Sequence, residues 1–213
     1  MAVTSNFGVP TPDDGTGSVL MPKLQYRFRV LFENLGGSSD GNTFVTKNVV
    51  SVTRPTLDHE DVTIDVYNSK IRLAGKHTWG DVTLIIRDDI NSDVVTALGA
   101  QMATQVNHSE QSSRLAGSDY KFGMRIEMLD GSNEGDGQDA VIDAWTLAGC
   151  FIPSIQYGDL NYATSEVVQI TATIRYDNAS NEIGATGGED LLSSPGAGSN
   201  NDLRIAAGGD AVA

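Results

Sequence analysis

The sequence predicts a mainly β domain, two packed antiparallel sheets forming a sandwich or an open barrel, with one α-helix. Three observations carry that expectation. Apolar residues alternate with polar ones over several short runs, the period of a strand with one covered face. Turn-forming clusters of Gly, Asn, Asp and Ser separate those runs at intervals suited to antiparallel neighbours. A single stretch, residues 91–106, has helical spacing instead, with Val94, Val95, Leu98, Met102 and Val106 on one stripe.

The first 22 residues hold Pro10, Pro12, Asp13, Asp14, Gly15, Gly17 and Pro22, too little apolar surface to order alone, so they read as a flexible N-terminal arm. Leu24, Tyr26, Phe28, Val30 and Phe32 then share one face of a strand. Residues 34–42 form a turn rich in residues that accept positive φ. Residues 43–53, TFVTKNVVSVT, are β-branched and predict the return strand. Arg54-Pro55 breaks the ladder, because proline has no N–H to donate and restricts its predecessor.

Val62, Ile64 and Val66 alternate with Thr63 and Asp65, predicting a half-buried strand. Val82, Leu84 and Ile86, with Ile85 on the other face, predict a more fully covered one. Between them YNSKIRLAGKHTWG, with bend signals at Asn68-Ser69 and Ala74-Gly75, makes an exposed excursion carrying Lys70, Arg72 and Lys76. Asn91 or Ser92 can cap the helix, and Asp93 suits its first turn. After a polar connector come a strand over 120–129, an acidic loop over 130–139, and an apolar strand over 140–152 that Pro153 ends or bends. A turn region and a last strand at 166–176 follow. The expected organisation is thus an arm (1–22), one β domain (23–176) and a flexible C-terminal tail (177–213) without periodicity.

Twenty-eight acids against 14 bases give a formal charge of −14, which argues against a dedicated nucleic-acid binder, since binding phosphates takes clustered cations. Such acidity serves simple solubility first, and a saline setting as the lesser alternative. The single cysteine, Cys150, excludes an intrachain disulfide. No window approaches the ~18 apolar residues of a membrane helix, and the N-terminus has no apolar leader. His59, His77 and His108 lack ligand spacing for zinc. The loop from Asp130 approaches a calcium pattern through Asp130, Ser132, Glu134, Asp136 and Gln138 but has Val141 where a bidentate glutamate is needed. Asp88-Asp89 and Glu60-Asp61 do not have the geometry of glycosidase carboxylates, and no phosphate loop or nucleophile elbow occurs. The expectation is a protein that is not an enzyme and uses no metal or cofactor.

The order of parts resembles the tail tube protein of contractile-tailed bacteriophages, related to the tube proteins of type VI secretion and contractile injection machines. Tyr67, Lys70, Ile71, Leu73, Ala74, Gly75, Thr78, Trp79 and Asp88-Asp89 carry the likeness, within a span of 23–176. It implies a tail-tube-like fold and a structural virion protein whose six-membered rings stack into a tube inside a contractile sheath, the conduit for DNA ejection. The implied partners are copies of itself, the sheath, and baseplate, tape measure and tail terminator proteins. Genomic DNA would pass through the lumen without specific binding, and no membrane is implied. The implied place is the phage tail, assembled in the host cytoplasm. Inter-ring and subunit contacts would fall on Arg54, Pro55, Tyr67, Lys70, Arg72, Ala74, Gly75 and Lys76. Two other readings stay open: the inner tube of an injection or type VI-like system, and a carbohydrate-binding β-sandwich.

Overall fold

A computed structural model describes residues 23–37, 43–131, 141–163 and 165–183. Eleven strands are seen among them, and every pairing is antiparallel. They are β1 (Phe28–Glu33), β2 (Val49–Val52), β3 (Leu57–Val66), β4 (Ser69–Trp79), β5 (Val82–Arg87), β6 (Val106–Asn107), β7 (Ser112–Ser113), β8 (Phe122–Leu129), β9 (Val141–Gln156), β10 (Gln169–Arg175) and β11 (Asn178–Ile183). A short helix α1 (Thr43–Asn48) precedes β2, and the main helix α2 (Asp93–Gln105) follows β5.

Two sheets share the long strand β9. Its first part lies between β8 and β11, giving the order β1-β8-β9-β11. Its last part pairs with β10 in the order β9-β10-β5-β2. The strand does not end at Pro153 but continues to Gln156, with an irregularity in its ladder beside the proline. The cost shows in the ladder, where Thr173 faces Ser154 but Arg175 faces Phe151. A proline without an N–H cannot join that ladder, so the register skips beside it. Gly149, at φ 69, makes the corner; a side chain there would strike the Asp177 carboxylate.

Alternation then builds one core. Val30 and Phe32 of β1, Met124 and Ile126 of β8, Val82, Leu84 and Ile86 of β5, and Ile170, Ala172 and Ile174 of β10 are all buried. Val94, Ala97 and Leu98 of α2 close over them. Each of these side chains other than the two alanines contributes roughly 1.5–3 kcal/mol. Two glutamines weld the helix to the sheets. Gln101 is buried, accepts from the Gly36 N–H at 2.9 Å and donates to the Tyr120 carbonyl at 2.6 Å. Gln105 brackets Ile152 of β9, donating to its carbonyl and accepting from its N–H, both at 2.9 Å.

Four expectations change. Residues 24–27 form a turn rather than the start of β1, with Arg27 N–H on the Leu24 carbonyl and Tyr26 exposed. Residues 43–48 are α1, not strand: Val45 is fully buried, and the helix packs on α2 and β1. One buried residue per turn suits a short helix, and that contact overrides β-branched propensity. Ser92 precedes α2 in a left-handed conformation without a side-chain cap, and Asp89 Oδ1 accepts the Asp93 N–H instead at 2.9 Å. Finally, Asn178–Ile183 is β11, inside the stretch expected to be tail. Its polar sequence is tolerated because Asn181 donates to Asp143 Oδ1 at 2.7 Å and Ala179 is buried. The N-terminal arm, the rest of the tail and most of the acidic loop lie outside the described residues.

Candidate assembly surfaces

Strands β3 and β4 form a ribbon of their own, paired only with each other among the described residues. The excursion expected to loop out between two strands is therefore itself a long strand, β4, returning along β3. The turn is at Tyr67, which sits at φ 45 and projects wholly exposed from the tip. The bulge between His59 and Asp61 lies near Gly75, where a Cβ would meet Glu60 and Val62 at 3.1 Å.

Register sorts this ribbon into two faces. Val62 pairs with Leu73 and Ile64 with Ile71, and Val66 follows, so five aliphatic side chains share one face. Each is 44–49% exposed. The half-buried strand expected at 62–66 thus shows its apolar side to solvent. The opposite face pairs charges: Arg72 donates to Asp61 Oδ2 at 2.9 Å, and Lys70 lies 3.4 Å from Asp65 Oδ1. Three cations, Lys70, Arg72 and Lys76, meet four acids, Asp58, Glu60, Asp61 and Asp65, so the ribbon is close to neutral rather than cationic. A two-stranded ribbon with a bare apolar face is marginal in water alone.

Its root is firm. Pro55 is buried, the Gly80 N–H donates to the Thr56 carbonyl at 2.9 Å, and Arg175 Nε reaches Asp81 Oδ1 at 2.9 Å. Trp79 stands 5.7 Å from the Tyr176 ring and 6.0 Å from that of His77. Below lies Cys150, fully buried, where loss of hydration pushes the thiol from 9.0 up to about 12. Burial moves the Tyr176 phenol the same way, to about 12. Each group stays protonated in the folded chain while the unfolded chain ionises. Stability is therefore whole below pH ~9 and falls as pH rises towards 12, at about 1.4 kcal/mol per pH unit for the thiol. Thermal melts should show a clear loss between pH 8 and pH 11 that Cys150→Ala reduces; equal melts at both would contradict it.

Arg54, placed by sequence with the ribbon, lies elsewhere. It lines a groove between the sides of β1 and β2 that have no partner strand among the described residues, with Lys23, Arg29, Lys47 and Arg87, over Phe28, Val30 and Met128, and its guanidinium meets the Met128 thioether. The predicted contact set thus divides: Tyr67, Lys70 and Arg72 near the tip, Ala74, Gly75 and Lys76 along β4, Pro55 at the base, and Arg54 in the groove beside β1 and β2. Sequence reasoning missed a further surface. Between β9 and β10, Leu160, Tyr162 and Val167 are exposed around a groove of about 940 Å³. Its only sequence signal was aromatic residues inside a turn region. Among the described residues, no group of three or more His, Cys, Asp or Glu is placed to hold a metal. No helix there is long and apolar enough to cross a membrane.

No protein-family model and no curated protein matches the chain. Solved structures do. A chain of the anti-feeding prophage cap, a tube-terminating cap, is 17% identical, covers 86% of this chain and 99% of its own, and gives a TM-score of 0.56. A chain of an extracellular contractile injection system, from the PVC sheath-tube complex in the extended state, is 13% identical over 78% of this chain and 94% of its own, at 0.58. A chain of the PVC sheath/tube terminator is 13% identical over 78% and 99%, at 0.54. The tail-tube-like fold expected from sequence is the fold observed, and the chain shares it with components of contractile injection systems.

Proposed function

We propose that this chain is a structural, non-enzymatic tube subunit that works by self-assembly, six copies closing into a ring and rings stacking into the inner tube of a contractile tail. The observation that carries this reading is the β3–β4 ribbon, whose five aliphatics await a covering surface. The outer strands β1, β2 and β11 each leave one side without a partner strand among the described residues, and neighbouring copies would seal such edges. A head-to-tail contact that closes makes a ring, and a ribbon projecting from it makes the next ring's contact. The sheath would surround the tube, with baseplate, tape measure and terminator proteins at its ends and along its bore. The tube would be built in the host cytoplasm and end up in the virion tail. At −14 per copy, the bore would let DNA slide rather than bind it.

The fold's presence in extracellular contractile injection systems favours a second reading, the same tube in an injection machine. Capsid and portal genes beside this one would decide for the phage tail. Negative-stain microscopy of the purified protein tests both: stacked six-fold rings are expected, and monomers at high concentration would contradict both. Lys70→Glu with Arg72→Glu, which sets two carboxylates against Asp65 and Asp61, should shorten the tubes; wild-type lengths would remove this strand from the contact.

A further inference from the structure

The ribbon and the β9–β10 loop lie at opposite ends of one sheet. Both ribbon strands root at the first residues of β5: the Thr53 N–H donates to the Thr83 carbonyl, and β4 leads into Val82 through Gly80-Asp81. The loop sits at the far end of the same strand, where Gln169 pairs with Arg87 and the Asp88 N–H donates to the Val168 carbonyl at 3.0 Å. Six residues of strand, ~20 Å, separate them. One chain therefore carries a projection with an apolar face at one end and a groove with both apolar and polar lining at the other.

We propose that the recess formed by Leu160, Tyr162, Val167 and Val168 receives the β3–β4 tip of a second copy. This rests on the tube reading and supplies the partner surface that reading lacks. Size agrees: the open recess of about 940 Å³ is large enough for a single aromatic side chain with its turn, and Tyr67 stands fully exposed at the tip. Charge agrees too. Asp159 and Glu166 outnumber Arg87 in the recess lining, and Lys70 and Arg72 flank the tip, 69% and 75% exposed and held only by solvent-exposed pairs that can be exchanged. Because projection and recess are different patches at opposite ends, the contact repeats head to tail without limit, which is what a tube needs and a closed dimer does not.

A cysteine pair tests it. Tyr67→Cys with Tyr162→Cys in one chain, treated with a flexible bismaleimide, should give a ladder of multimers on a denaturing gel. An equal mixture of the two single variants should stop at dimers. The native thiol is buried and held protonated, so it adds no background. A second arm reads charge: Glu166→Lys should raise the concentration needed for assembly at least tenfold, and adding Lys70→Glu should recover most of it. Tubes in micrographs with no ladder, or no recovery by the swap, would overturn the recess while leaving the tube reading standing. A wild-type chain that never assembles would overturn the tube reading, and this one with it.

Discussion

Replacing Ile64 and Ile71 together by threonine is expected to abolish tube formation while leaving the subunit's melting temperature within a few degrees. The two face each other across the ribbon on its apolar side, 46% and 49% exposed. Threonine keeps the β-branched shape that suits a strand, so pairing with β3 and β4 persists. What is lost is apolar surface still to be covered by a neighbour, about 1 kcal/mol for each residue. That is ~2 kcal/mol per ribbon, and in a six-membered ring all six ribbons act in one stacking step, for ~12 kcal/mol in all. A loss of that size moves stacking beyond any practical concentration. Thr63→Ser, on the charged face, should leave the tubes intact and serves as the control. Sedimentation and micrographs read the result; full-length tubes from the double variant would show that this face is not the contact.

That ribbon also shows what the amino-acid order could and could not reveal. Val62, Ile64 and Val66 share one face in sequence and structure alike, because period 2 is a property of the strand itself. Alternation says which side seeks cover, not whether the cover belongs to this molecule or to another. The same limit misled the charge reading: Lys70, Arg72 and Lys76 form a cationic run along the chain, yet cross-strand register lays Asp65 and Asp61 beside the first two. Strands β5, β8 and β10 were legible because each alternates into one core, and α2 because its stripe meets the same core. By contrast α1, β11 and the recess near Tyr162 depend on distant partners. Val45 is helical because α2 and β1 enclose it; Asn181 sits in a strand because Asp143 satisfies it.

Glu127→Ala should be the costliest exposed-face change, lowering stability by about 3 kcal/mol and the melting temperature by ~10 °C. Glu127 lies on the face of its sheet opposite Met124 and Ile126, yet it is only 5% exposed, because two arginines cover it. Arg29 Nε donates to its Oε2 at 2.8 Å, and Arg125 Nε to its Oε1 at 2.8 Å. Arg125 continues to Glu182 at 3.1 Å, so the network crosses β1, β8 and β11 and spans the sheet between its two outer strands. Removing the carboxylate leaves two guanidinium groups close together, about a third exposed. Water relieves part of that, which holds the cost below the upper end for a fully buried pair. Replacing Arg29, Glu127 and Arg125 together by leucine or methionine should return most of the loss, because the buried carboxylate and both arginines go together and the one carboxylate left behind, Glu182, is a third exposed to water. If the network also holds β1 and β11 in register for neighbouring copies, the triple variant should melt near wild type yet close rings less readily. Recovery of both properties together would confine the network to the stability of the single subunit.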